Sequence, residues 1–273
     1  MRNLMIGAAA SAVAALALGA AEAAVTYTAD ASTTLTLVSV ANTTNADAGT
    51  AEFVFAVSTS LDGEGSETTG DATANTSFLL EPSDDGLGLI QNGLAAGDTV
   101  VNAGSVSGAA RDGTSSAFVS TAGDMFMQNL SLTDTFEVTF ELTYDLFASA
   151  VVGALGGESA EAGAFATVES SIIGDVTGTV LQDGVSTALS DLVLDLALQP
   201  TGADGALSES GTLLLTFVLA PGAAVNMFMF ADVLGNGVGI ADMDANPVPL
   251  PGALGFMLMG AAGAAGLRRR ARG

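Results

Sequence analysis

Residues Phe136 to Leu146 read FEVTFELTYDL, and this stretch decides the fold class. Phe136, Val138, Phe140, Leu142 and Tyr144 occupy every second position, with Glu137, Thr139, Glu141, Thr143 and Asp145 between them. Successive side chains of an extended strand point to opposite faces, so the apolar groups share one face and the polar groups the other. Helical spacing would scatter the same residues around the axis. The pattern predicts a half-buried strand. Residues 51–59 repeat it with Phe53, Phe55 and Val57 inward, and Leu213, Leu215, Phe217 and Leu219 repeat it again. Leu192, Leu194, Leu196 and Leu198 form a further stripe, although Leu also suits helix. Residues 225–233 are apolar on both faces, with Met227, Phe228, Met229 and Phe230, which predicts a central strand covered on both sides.

Turn clusters separate these stripes. They are Asp62-Gly63-Glu64-Gly65, the run from Pro82 to Gly86, Arg111-Asp112-Gly113, Asp183-Gly184, Ala203-Asp204-Gly205 and Pro221-Gly222. Gly, Asp and Pro stop strands, and Gly permits positive φ. Gln182 to Val185 reads as a tight hairpin turn. Short-interval strands with Gly-rich turns favour an all-β, antiparallel β-sandwich over residues 24–245. Two lobes, about 24–125 and 126–245, are the alternative division, although no Pro-rich linker separates them. Residues 60–123, rich in Gly, Ser, Thr, Asp and Asn, read as a loop-decorated sheet region, with a disordered insertion as the alternative. Residues 151–166 are expected to be loop and strand rather than helix.

Composition closes off most chemistry. The chain has no His, Cys or Trp among its 273 residues, and its six bases are all Arg. Nucleophile-His-acid catalysis, a Ser-Lys dyad and a zinc site of His or Cys therefore have no residues to build them. Paired carboxylates could in principle cleave sugars, but sugar-cleaving clefts usually stack aromatics on the ring, and this chain has no Trp. The expectation is a protein without catalytic activity. Residues 24–251 hold 29 acids and one base, Arg111, a net charge of −28. This polyanion should stay soluble and self-repelling, and it offers nothing to neutralise nucleic-acid phosphates. Disulfides are unused, so stability must come from a core of Val, Leu, Ile, Ala and Phe.

Calcium is the one cofactor this composition allows, because it takes carboxylate and carbonyl oxygens. The candidates are Asp62, Glu64 and Glu67; Asp84 and Asp85; and Asp242, Asp244 and Asn246. The last set has D-x-D-x-N spacing, yet Pro247 stands where an EF-hand loop needs Gly, and no Glu follows at the twelfth position. Solvated turn acids are the simpler account of all three sets. Asn129-Leu130-Ser131 fits a glycosylation sequon, which chance supplies in a Ser- and Thr-rich chain. Arg111 reads as an exposed turn residue, where an ion pair contributes little.

The two ends carry addresses. Met1-Arg2-Asn3 is a short basic region, Leu4 to Ala20 is apolar, and Ala21-Glu22-Ala23 fits a small-x-small cleavage site. Residues 1–23 are thus expected to be a signal peptide. At the other end Val248-Pro249-Leu250-Pro251-Gly252 precedes an apolar run to Leu267, followed by Arg268, Arg269, Arg270 and Arg272. The run, Gly252 to Leu267, is shorter than the ~20 residues of a free-standing membrane helix, and basic residues after it favour the cytoplasmic side. A single hydrophobic helix that spans transiently and is then cut and replaced fits best.

Motif, apolar run and Arg cluster together resemble the PEP-CTERM class of bacterial sorting signals, in its VPLPA variant, with Gly252 in place of the usual Ala. The resemblance covers residues 246–273. It implies a Gram-negative source and recognition by an exosortase-type membrane processing enzyme. It also implies association with the cell surface or exopolysaccharide. The expected function is an exported, surface-sorted, acidic structural or matrix protein. The alternative is a calcium-dependent adhesin or glycan-binding module.

Overall fold

A computed structural model describes residues 25–81, 94–153, 157–182, 184–188, 193–198 and 205–240. They form ten strands: β1 (Val25–Asn42), β2 (Phe53–Glu81), β3 (Thr99–Asn129), β4 (Phe136–Val152), β5 (Ser159–Ile173), β6 (Val176–Gln182), β7 (Val185–Ala188), β8 (Val193–Leu198), β9 (Gly205–Leu219) and β10 (Ala224–Gly239). All pair antiparallel in one sheet of order β7-β6-β9-β4-β1-β3-β10-β5-β8, with β2 along the other edge of β3. The all-β, antiparallel expectation is met. Phe136–Leu146 lies in β4 with every even residue from Phe136 to Ala150 buried. Phe53, Phe55 and Val57 point inward, as do Leu213, Leu215, Phe217 and Leu219. Gln182 pairs with Val185, which makes β6–β7 the hairpin read from the sequence.

The sheet is folded by one long strand. Thr99–Ala110 of β3 pairs with β1, whereas Gly113–Gln128 pairs with β10. Between them the register to β2 jumps: Ala110 faces Ala72, Asp112 faces Asp71, and Arg111 is the extra residue of a bulge. The bulge inverts the facing, so that even residues from Val100 to Ala110 point inward before it and odd residues from Ser115 to Asn129 after it. Gly70 (φ 66°) and Gly113 (φ 142°) sit beside it, where a Cβ on either would meet the backbone of the opposite strand. Positive φ and this close approach both demand glycine. The bend divides the sheet into a half with β1, β4, β9, β6 and β7 and a half with β10, β5 and β8. Their inner faces meet, with β1 against β10 and β5, and β4 against β5 and β8.

Two expectations change here. Asp62–Gly65 and Arg111–Gly113 are not turns between strands; they lie inside β2 and β3. Residues 60–81 and 99–123 belong to the two longest strands, paired along their length. A Gly-Asp cluster breaks a strand only when no partner supplies the ladder, and here each strand completes the other. The residues expected to form a signal peptide (1–23), a sorting motif (Val248–Gly252), a hydrophobic helix and the Arg cluster at 268–272 lie outside the described residues. Among the described residues the helical element is a short 3-10 turn, Ala46–Ala48. No described helix is long and apolar enough to cross a membrane.

The core has two parts that match the wedge between the half-sheets. Away from the bend it is built from large side chains. Phe140 meets Phe55 and Phe217 edge to face at centroid distances of 6.2 and 6.4 Å. Near the bend it is mostly Ala, from Ala29 and Ala31 through Ala148 and Ala150 to Ala160, Ala162, Ala164 and Ala166. Tyr27 is a large exception. Its ring lies against Gly235 of the opposite half and reaches Gly108, and a Cβ at either glycine would overlap it. The Tyr27 hydroxyl bonds Ser115 Oγ at 2.9 Å, and Ser115 donates to Thr73 O at 2.6 Å. One buried chain of hydrogen bonds thus ties β1, β3 and β2.

At the far end Asn129 closes the loops. Its amide nitrogen donates to Asp134 O (2.8 Å), Leu219 O (3.1 Å) and Ala220 O (3.0 Å), and its Oδ1 accepts from Ser131 N at 2.9 Å. Asn129 is fully buried, so its amide is committed to the fold and unavailable to a glycosyl transferase in the folded chain.

Gly235→Ala is expected to cost about 1–3 kcal/mol by overpacking against Tyr27, read as a lowered midpoint in chemical denaturation. Adding Tyr27→Leu should recover part of that loss, and strictly additive effects of the two changes would refute the contact. Asn129→Ala strands several buried carbonyls and should cost at least ~1–3 kcal/mol in the same assay.

Candidate functional site

The described residues bring together few of the acids singled out as ligands. Asp62, Glu64 and Glu67 are exposed along β2, and Asp62 accepts a hydrogen bond from Ser60 Oγ at 3.0 Å. An extended strand spaces them out rather than folding them around an ion. Among the described residues no group of three or more acids could hold a metal. Asp84, Asp85, Asp242, Asp244 and Asn246 lie outside the described residues. Arg111 is exposed in the bulge at the bend.

The chemistry-bearing surface is the outer face of the half-sheet that contains β10. Inward residues of β10 are Val225, Met227, Met229, Ala231 and Val233, all buried. The alternate residues Asn226, Phe228, Phe230, Asp232 and Leu234 point outward and are half-buried. Cross-strand register places Phe126 beside Asn226, Phe118 beside Leu234, and Phe165 beside Asp232. Diagonal neighbours on a sheet are within reach of aromatic side chains. The rings of Phe126, Phe228, Phe230 and Phe165 therefore run in a stepped apolar stripe across three strands. The sequence predicted cover on both faces of this segment. Among the described residues no second layer lies over the outer one: the elements packed closely on β10 are its sheet neighbours β3 and β5 and, on the inner side, β1.

Phe118 is 49% exposed and caps the end of the stripe. It rests on edge strand β2, where a Cβ at Gly63 would come 3.3 Å and at Gly65 2.6 Å from its ring. Those two glycines, read as turn residues, are a shelf for an aromatic ring on a strand edge. At the other end a shallow hollow of about 210 Å³ is lined by Ala56, Val57, Ser58, Asp124, Phe126 and Asn226. With its amide satisfied, Asn226 donates to Asp124 Oδ1 at 2.7 Å and to Met125 O at 3.2 Å.

Carboxylates are set into this apolar face: Asp124 and Asp232, with Glu169 beside Phe228 on β5. Burial pushes Asp232 above the usual carboxylate range; a bond from Ser120 opposes the shift, and the charge on Asp62 adds to it. Asp232 Oδ1 is buried without a hydrogen-bond partner. Burial raises Asp124 as well. On the outer face of the other half-sheet Asp30 is raised by burial, opposed by Ser105 and reinforced by Asp145. That face is otherwise Thr- and Ser-rich, with Thr28, Ser32, Thr34 and Thr36 on β1 and Thr139 and Thr143 on β4. The two outer faces thus differ: one is hydroxylated and acidic, the other aromatic with embedded acceptors.

No protein-family model matches the chain, and no curated protein matches it. Two solved structures show a faint likeness. One is the family 11 carbohydrate-binding module from Clostridium thermocellum in complex with a β-1,3-1,4-mixed-linked tetrasaccharide, at 9% identity over 67% of this chain and 96% of that one, with TM-score 0.11. The other is the secreted serine protease VesC from Vibrio cholerae, at 9% identity over 74% of this chain and 46% of that one, with TM-score 0.09. At these scores neither carries an argument about fold or function.

The raised carboxylates fix the sign of a pH effect. Their charged form is disfavoured in the folded state, so the cost is present above their raised values and is relieved as pH falls through them. Acidification from neutral pH toward the ordinary carboxylate value of about 4 should therefore raise the melting temperature. Asp232→Asn removes one such cost and should raise the melting temperature at neutral pH while narrowing the gap between the two pH values. An unchanged gap would show that Asp232 is not the group responsible.

Proposed function

We propose that this chain is an exported, surface-sorted structural protein of the extracellular matrix, associated with exopolysaccharide and without catalytic activity. The observation that carries the reading is the ordered pair of terminal signals around an acidic β-rich region. Ala21 and Ala23 mark export and cleavage, Val248 to Gly252 mark sorting, and Arg268, Arg269, Arg270 and Arg272 stop transfer. An exosortase-type enzyme is the processing partner, and the membrane holds the C-terminal helix only until the cut. Removal of the tail takes away four of six bases. The released product is an almost pure polyanion, which resists aggregation at the crowded surface.

A second reading, a glycan-binding module, is favoured by the outward Phe stripe on β10, β3 and β5. Its calcium-dependent form rests on acids such as Asp242, Asp244 and Asn246.

Intact-mass analysis of protein released from the cell surface tests the processing. The expected mass lacks residues 1–23 and the segment after the Pro249–Pro251 region; a product that retains residues 252–273 would overturn the cut-and-replace model. Melting curves with millimolar calcium separate the two readings. The structural reading expects no shift, and a rise of several degrees would favour the calcium-dependent adhesin.

A further inference from the structure

We infer that the open edge of β2 over Ala72–Leu80 pairs antiparallel with the same segment of a second copy of this chain, giving a two-fold dimer whose sheet continues across both molecules. The pairing rests on strand geometry and not on the terminal signals. Among the described residues the sheet order leaves β2, β7 and β8 at edges. β2 is 29 residues long, whereas β7 has four and β8 six. On the side of β2 away from β3, alternate residues present N–H and C=O groups that no described strand pairs. An edge of that kind takes an extended strand, because a strand matches its ladder.

Charge selects where along β2 this can happen. Asp62, Glu64, Glu67 and Asp71 follow one another through its middle, and a copy laid antiparallel there crowds both sets of carboxylates along one ladder. Two stretches carry no charge, Phe53–Leu61 and Ala72–Leu80. In the first, Phe53, Phe55, Val57 and Thr59 are already buried in the molecule's own core. In the second, Phe78 and Leu79 are 47% and 45% exposed, large apolar groups that β2 leaves to solvent. The second acid-free stretch and the exposed apolar groups thus coincide. A two-fold axis through Phe78 pairs that residue with its counterpart, Ser77 with Leu79, Thr76 with Leu80 and Asn75 with Glu81. The rings meet across the ladder, where aromatic pairs are stabilising, and the one acid of the set faces an amide. An unrelated strand would meet the backbone equally well, but it needs its own apolar, acid-free segment, and each copy of this chain already carries one. At long range two chains of net charge −24 repel each other, so added salt should strengthen the pairing.

Sedimentation of the full chain in mild detergent tests this, across protein concentration and at about 0.05 M and about 0.5 M salt. The expected result is a rise from monomer towards dimer mass, larger at the higher salt. Phe78→Asp sets two acids opposite each other and should lower the dimer association constant at least about tenfold. Leu79→Asp, at a similarly exposed position, gives the same reading if the first variant does not fold. Leu132→Ala, 91% exposed in the β3–β4 loop, should leave the mass unchanged. The chain has no cysteine, so Phe78→Cys supplies a second readout. Paired residues of antiparallel strands lie about 4.5–5.5 Å apart at Cα, within disulfide reach, and oxidation of that variant should yield a covalent dimer. Thr68→Cys, exposed among the guarding acids of the same strand, should stay monomeric under the same oxidation. A monomer at every salt and concentration would overturn the proposal, as would equal cross-linking by Thr68→Cys. So would association that survives both Asp changes, or growth beyond the dimer, since another surface or an unlike segment would then make the contact.

Discussion

A single strand, β3, belongs to both halves of the molecule, and every other element takes its place from the way it bends. Its first part ladders to β1 and its second to β10, with β2 beside it throughout. The inserted Arg111 switches which parity faces inward, and Gly70 and Gly113 allow the two backbones to turn together. Without the switch, the residues after the bulge would present their apolar set to solvent, because a one-residue slip exchanges the faces of a strand. The inner faces of β1 and β4 could then find no apolar partner in β10 and β5. Arg111, the lone base of residues 24–251, sits at a place where the ladder skips a residue and its side chain is exposed.

The bend also dictates the gradient of side-chain size. Two half-sheets that diverge from a common bend leave a narrow gap near it and a wide one away from it. Ala fills the narrow part and Phe, Leu and Met fill the wide part. Tyr27 violates that gradient, and it is accommodated only because Gly235 and Gly108 lack side chains. The phenol in turn secures the hydrogen-bonded link to Ser115 and Thr73. A chain without disulfides depends on such close contacts, since packing must stabilise it unaided.

Charge and burial then set what the surface can do. The protein carries almost no cations, so electrostatics repel anionic partners at long range and leave short-range contact chemistry to choose among the rest. One outer face is hydroxylated, and the other interleaves Phe228 and Phe230 with Asp232 on the same strand. Burial raises Asp232 on that face and Asp30 on the other, so each half-sheet sets a carboxylate into its outer face at a cost to folding.

Period-2 patterning in Phe136–Leu146, Phe53–Val57 and Leu213–Leu219 was enough to assign extended structure and the inward residues, because strand geometry is local. Composition was likewise enough to remove His, Cys and Lys chemistry, because a residue type that is missing cannot be supplied by folding. The same local reading failed at Asp62–Gly65 and Arg111–Gly113, where long-range pairing carries two strands through glycine and aspartate. It also expected a central strand covered on both faces: β10 is central, its outward residues are half-buried, and among the described residues no second layer lies over them. Alternation told which residues of each strand share a face. The bend in β3 decided which faces meet and which aromatic rings point outward, because that outcome depends on partners far apart in the sequence.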